Sequence, residues 1–107
     1  MNLQRPHALW MAVLAAVLAV PGLLGAAEPC DRQCLVDVMK NYLSALVAHD
    51  PSAVSFDREV KFTENTANIP VGYGLWVTAS GGPEEFQVYA ADPLAQQVVA
   101  LVMMKEN

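Results

Sequence analysis

The run Val98-Val99-Ala100-Leu101-Val102-Met103-Met104 constrains the fold of this 107-residue chain more than any other stretch. Successive side chains of a strand point to opposite faces, so a strand built from this run is apolar on both. The expectation is a strand over residues 97–104 buried in the middle of a sheet. As the last strand of a sheet it would expose unpaired backbone groups beside Leu and Val, a template for pairing with another chain. There are two solutions. Either a second chain covers it, giving a homodimer or a self-associating structural module through strand 97–104, or strands that would come after it are absent.

The rest of the pattern calls for one helix and several short strands. Leu35, Val38, Met39, Tyr42, Leu43, Leu46 and Val47 recur at three- and four-residue steps, with Asp37, Lys40, Asn41 and Ser44 between them. That spacing predicts an amphipathic helix from Cys34 to His49. Asp50-Pro51 ends it and starts a short turn of helix through Ser52 to Val54. Val60, Phe62 and Glu64 alternate with Lys61 and Thr63 as in a short strand. The segment Asn65 to Gly74 is rich in turn formers, and Gly72 and Gly74 are placed to aim Tyr73 and Trp76. A weak strand is expected from Trp76 to Ala79, ending at Gly81-Gly82-Pro83. Phe86, Val88 and Ala90 alternate with Gln87 and Tyr89 in a further strand, and Ala91-Asp92-Pro93 turns the chain into the final run.

The first 27 residues read as a cleavable signal peptide. A short head bearing Arg5 precedes an apolar run from Ala8 to Val20, then Pro21-Gly22 and the small residues Gly25-Ala26-Ala27. The run is shorter than the roughly 20 apolar residues of a spanning helix, so the reading is a secreted or periplasmic protein with no stable membrane association after cleavage. The remaining residues, 28–107, suffice for a single domain. They carry eleven acidic and five basic side chains, a net charge of −6. An acidic surface repels phosphate backbones, which argues against nucleic acid as a partner.

Cys30 and Cys34 are the only cysteines. Export favours a disulfide between them. Side chains four apart on a regular helix are too far apart for that bond, so Cys30 must precede the helix, with Asp31 as N-cap over Gln33 or Cys34. A redox-active pair at a helix N-terminus is the rival reading; a structural staple is favoured.

Several segments taken together resemble a known superfamily. They are a Cys pair ahead of a long helix, the Tyr42-Leu43-Ser44-Ala45-Leu46 stretch ending in His49-Asp50-Pro51, then Phe62-Thr63-Glu64-Asn65 and Gly72-Tyr73-Gly74-Leu75-Trp76. Their order is similar to that of the nuclear transport factor 2-like superfamily, which includes the SnoaL-like polyketide cyclases. Within it they look most like a domain of unknown function from exported bacterial and fungal proteins. The resemblance covers residues 30 to 107 and implies an α+β fold. A long N-terminal helix would pack on a curved antiparallel sheet (a cone-like, cystatin-like roll) enclosing a cavity. It also implies about two further strands beyond Asn107, so the domain is expected to be incomplete at its C-terminus.

That family suggests a small molecule held in the cone. Tyr42, Phe62, Asn65, Trp76 and Tyr89 are the candidate pocket residues, with Tyr and Trp favoured because their polar atoms need partners. Glu64, at the end of a predicted strand, is the candidate catalytic acid–base group of a cyclase, isomerase or hydratase; the blander reading is that it caps a turn. His49-Asp50 reads as a helix end and the cap of the next turn before it reads as a base and its orienter. No metal-ligand spacing, no cofactor motif and no nucleophile elbow is present in the sequence.

Overall fold

A computed structural model describes residues 28–107; the leader expectation for residues 1–27 lies outside them. The architecture is α+β, with mixed helix and antiparallel strands. Helix α1 spans Arg32–Val47, and its N-cap is Asp31, whose carboxylate accepts the Cys34 N–H at 2.8 Å. The cap keeps Cys30 outside the helix, and Cys30 and Cys34 form a disulfide across a Cα separation of 5.3 Å.

The far end of α1 is closed by a Schellman motif. The N–H of Asp50 donates to Ala45 C=O at 3.0 Å, and the N–H of His49 donates to Leu46 C=O at 3.1 Å. This arrangement needs a left-handed residue after the C-cap, usually glycine. Here His49 takes the position, with φ 55°. Asp50 then caps a turn of 3-10 helix, Pro51–Ala53, accepting from both the N–H and the hydroxyl of Ser52.

The antiparallel pairing is divided among three two-stranded ladders. In the first, β1 (Thr63–Glu64) pairs with β2 (Ala67–Asn68) across a two-residue turn in which Asn65 and Thr66 both have positive φ. A further bond, Ile69 N–H to Phe62 C=O at 3.1 Å, extends it. The strand expected from Val60 is thus confined to its C-terminal end, since Val60 and Lys61 are exposed and join no ladder among the described residues. In the second ladder β3 (Ala79–Gly81) pairs with β6 (Lys105–Glu106). The third is the hairpin of β4 (Gln87–Asp92) and β5 (Gln97–Val102), in register from Gln87–Val102 to Asp92–Gln97. Asp92 shapes its turn by accepting the N–H groups of Leu94 and Ala95. The side chain of Gln96 exchanges two hydrogen bonds with the backbone of Cys30, at 2.9 and 2.8 Å, which ties the stapled N-terminus to the hairpin tip.

Two expectations are corrected. Trp76 begins no strand: Leu75–Thr78 is a single helical turn, α2, and the strand starts only at Ala79. Nor is strand 97–104 buried in mid-sheet. β5 ends at Val102, has β4 as its one ladder partner among the described residues, and alternates in burial: Val98, Ala100 and Val102 are half-buried, while Val99 and Leu101 are exposed. Hydropathy fixes which residues are apolar, but not which face another element covers.

The core centres on Ala45, Leu46, Trp76 and Ala79, with Tyr42, Val54, Phe56, Phe62, Val71, Leu75 and Met104 packed round it. α1 lies against β4 and β5 and touches β3 and the 3-10 turn.

The staple closes a short loop, so its reduction should lower the unfolding free energy by about 2 kcal/mol and Tm by about 10 °C. Thermal unfolding with and without a phosphine reductant measures this. An unchanged Tm would show that the Asp31 cap alone holds the helix start.

Candidate functional site

The five pocket candidates do not converge. Trp76 is buried at 1% exposure, wholly inside the core. Tyr42 meets it edge-on, with ring centroids 5.4 Å apart and planes at 89°, and Phe56 contacts both rings from 6.4 and 6.2 Å. Phe62 supports this group from the β1 side while lining a separate surface dish of about 510 Å³ with Val60, Lys61, Asn68, Ile69 and Pro70. Asn65 sits exposed in the β1–β2 turn with φ 47°, a conformation asparagine tolerates better than most residues. Tyr89 is half-buried on the hairpin face toward α1, where Lys40 Nζ lies 5.5 Å from its ring centroid and Gln87 accepts from its hydroxyl at 3.0 Å.

Of the five, Tyr42 lines an apolar groove, together with residues that were not pocket candidates. Val38, Met39 and Tyr42 of α1, Val54, Ser55 and Phe56 after the 3-10 turn, and Val98 of β5 enclose about 290 Å³. The elements explain the location. α1 presents three apolar side chains on one face, and the Schellman turn with Pro51 folds the chain back so that residues 54–56 run beside that face. The inward alternation of β5 supplies Val98. Val54 and Phe56 lie in a segment with no periodic pattern, so only the return of the chain at Asp50-Pro51 hinted at their placement.

Glu64 faces a different task. Its carboxylate accepts the Leu75 N–H at 2.8 Å, satisfying one of the free donors that begin the short helix α2. The contact depends on Gly74. That residue has φ 62° and ψ −125°, and a Cβ there would lie 2.7 Å from the Glu64 carboxyl carbon. His49 is likewise engaged: Trp76 C=O can only accept, so His49 Nδ1–H donates to it at 2.6 Å. Asp50 is occupied with Ser52. Glu64 and His49 therefore hold the two ends of the segment that carries Trp76.

Among the described residues, the hydroxyl of Tyr42 is the titratable group whose surroundings shift it clearly. Burial raises its pKa above the ordinary 10.0; the Trp76 N–H opposes the rise, and the Glu64 carboxylate adds to it. Trp76 Nε1 itself is buried and finds no partner of full hydrogen-bond geometry among the described residues. Among those residues no three of His, Cys, Asp and Glu gather as metal ligands, and no helix is long and apolar enough to cross a membrane.

No family model, curated protein or solved structure matches the chain.

Gly74→Ala should cost about 2–3 kcal/mol, because it combines a backbone region essentially reserved for glycine with a clash against Glu64. Denaturant unfolding checks this, and a loss below that of an ordinary surface change would remove Glu64 from its capping role. The raised Tyr42 pKa makes the native state hold its proton more tightly than the unfolded chain. Stability should therefore be intact below pH 10 and fall as pH rises through the unfolded value toward the folded one. Tyr42→Phe should flatten that alkaline loss; a slope equal to that of the parent would assign the loss to other groups.

Proposed function

We propose that the chain is an exported binding domain that holds a small, largely apolar molecule in the groove between α1, residues 54–56 and β5. The observation that carries this is the lining, which is almost wholly aliphatic and aromatic: Val38, Met39, Tyr42, Val54, Phe56 and Val98, beside Ser55. Small-molecule sites combine this kind of apolar wall with a few polar groups that orient the ligand. The volume of about 290 Å³ takes roughly ten non-hydrogen atoms, at the ~30 Å³ that one water occupies in the liquid. In the nuclear transport factor 2-like reading, ligand space likewise lies between the first helix and the sheet. The disulfide next to the start of α1 is compatible with an oxidising compartment, which supports export.

The cyclase, isomerase or hydratase reading needs the Glu64 carboxylate facing the bound molecule. Glu64 does not line the groove, and one of its oxygens is committed to the Leu75 N–H. Binding without chemistry is the reading these positions favour.

Thermal-shift measurements with octanol, camphor and 2-naphthol test the proposal. A ligand at ten times its Kd adds about 1.4 kcal/mol, which for a domain of this size raises Tm by about 5–10 °C. Val38→Lys places a charge at the groove wall. Val38 is already 52% exposed and lies within a helix, so the variant should fold and lose the shift. A shift that survives in Val38→Lys, or the absence of any shift across the panel, would overturn the groove as the site.

A further inference from the structure

The β4–β5 hairpin has a second face, and nothing among the described residues covers it. Phe86, Val88 and Ala90 stand on it from one strand, and Met103, Leu101 and Val99 from the other; all six are exposed, from 50% at Val88 to 63% at Val99 among the larger ones. The register pairs them in rows, Val88 with Leu101 and Ala90 with Val99. The bond from Met103 N–H to Phe86 C=O adds a third row. No charge falls within the three rows. Polar groups bound the patch at both ends: Asp92 and Gln97 at the turn, and the Lys105–Glu84 ion pair at 3.0 Å at the other. An apolar centre with a polar rim is the anatomy of a protein interface.

We propose that this face packs against the same face of a second copy, about a two-fold axis lying across the strands through the Val88–Leu101 row. Three features choose this occupant. The first is taper. The rows shrink from Phe86 and Met103, through Val88 and Leu101, to Ala90 and Val99. A two-fold at the middle row sets the bulky row of each copy over the small row of the other and keeps the two sheets evenly spaced. Stacked sheets pack about 10 Å apart, which this interdigitation allows and bulk on bulk would not. The second is area. Half-exposed side chains of this size present on the order of 500 Å² per copy, so a pair buries about the 1,000 Å² that a specific interface needs. The third is charge. Residues 28–107 carry eleven acidic against five basic side chains, which disfavours anionic lipid or nucleic acid on the patch; two copies repel at long range for the same reason, but the three rows that would meet set no like charges against each other.

This geometry differs from pairing through the free edge of β5. In an edge pair the two β4 strands are separated by both β5 strands, about 14 Å at 4.7–4.9 Å per strand, so residue 88 of one copy cannot reach residue 88 of the other. In face packing the two meet at the axis.

The full chain, expressed from residue 1 and purified, should sediment as a concentration-dependent dimer. Val88→Lys should raise the dimer Kd at least tenfold while the far-ultraviolet circular dichroism stays that of the parent. Val88→Cys should cross-link to itself through a short two-carbon bismaleimide and run as a covalent dimer, because faces about 10 Å apart hold the two Cα atoms beyond direct disulfide reach. Leu94→Lys, at a 98% exposed position off this face, should leave the dimer as it is. Leu101→Glu stands in if Val88→Lys fails to fold. A monomer at every concentration overturns the proposal. So does a dimer indifferent to Val88→Lys, or one in which Val88→Cys does not cross-link, since either result assigns the contact to the β5 edge or elsewhere.

Discussion

Burial of Trp76 is the constraint on which the other contacts depend. Its ring is gripped from α1 by Tyr42, Ala45 and Leu46, and from the chain's return by Phe56. Its backbone is held at both ends, by Glu64 on the preceding residue's N–H and by His49 on its own carbonyl. Among the described residues six apolar residues are buried, and Trp76 and Leu46 are the large ones fully so; one indole is therefore a large share of the core, and truncating such a ring typically costs 3–5 kcal/mol. The unusual backbone positions serve this placement. His49, left-handed just after the C-cap of α1, turns its ring toward the Trp76 carbonyl, and Gly74 gives the Glu64 carboxylate room to reach the start of α2.

This explains why the two most reactive-looking groups of the sequence, Glu64 and His49, read as structural once their partners are known. A carboxylate at a strand end and a histidine before Asp-Pro carry the same letters whether they meet a ligand or a backbone amide. The difference is tertiary. It lies in an N–H eleven residues away for Glu64 and a carbonyl 27 residues away for His49. Local signals fared better. The Asp31 cap, the staple that requires Cys30 outside the helix, the face of α1, the Asp50-Pro51 turn and the Asp92-Pro93 hairpin each depend on residues within a few positions of one another. Four residues of helix at Leu75–Thr78 are too few to show a 3.6 period, and β-branched Val77 and Thr78 beside Trp76 suit a strand equally well. The groove was legible only in part: the α1 side chains follow from periodicity, whereas Val54 and Phe56 reach it through the path of the chain.

The β4–β5 hairpin shows how an all-apolar strand is accommodated without a mid-sheet position. Its inner residues, Val98 among them, pack toward α1, and its outer residues remain open to solvent. Because side chains alternate with period two, neighbouring residues of one strand belong to different environments: Val98 to the groove, Val99 to the outer face. A substitution at one leaves the other's surface chemistry intact, so the two proposed sites are separable by mutation although they share a strand.

Any coupling between them would run through β5. β5 has one ladder partner among the described residues, so its position depends on β4, on α1, and on whatever covers its outer face. A second copy packed there would restrict the hairpin and steady the groove wall at Val98. A ligand in the groove would in turn hold β5 against α1 and present the outer face in one conformation. Linkage requires the two effects to be equal: any factor by which dimerisation tightens ligand binding is the factor by which ligand tightens the dimer. That coupling would pass through the thin layer between the two sites, a single strand whose alternate side chains face opposite ways.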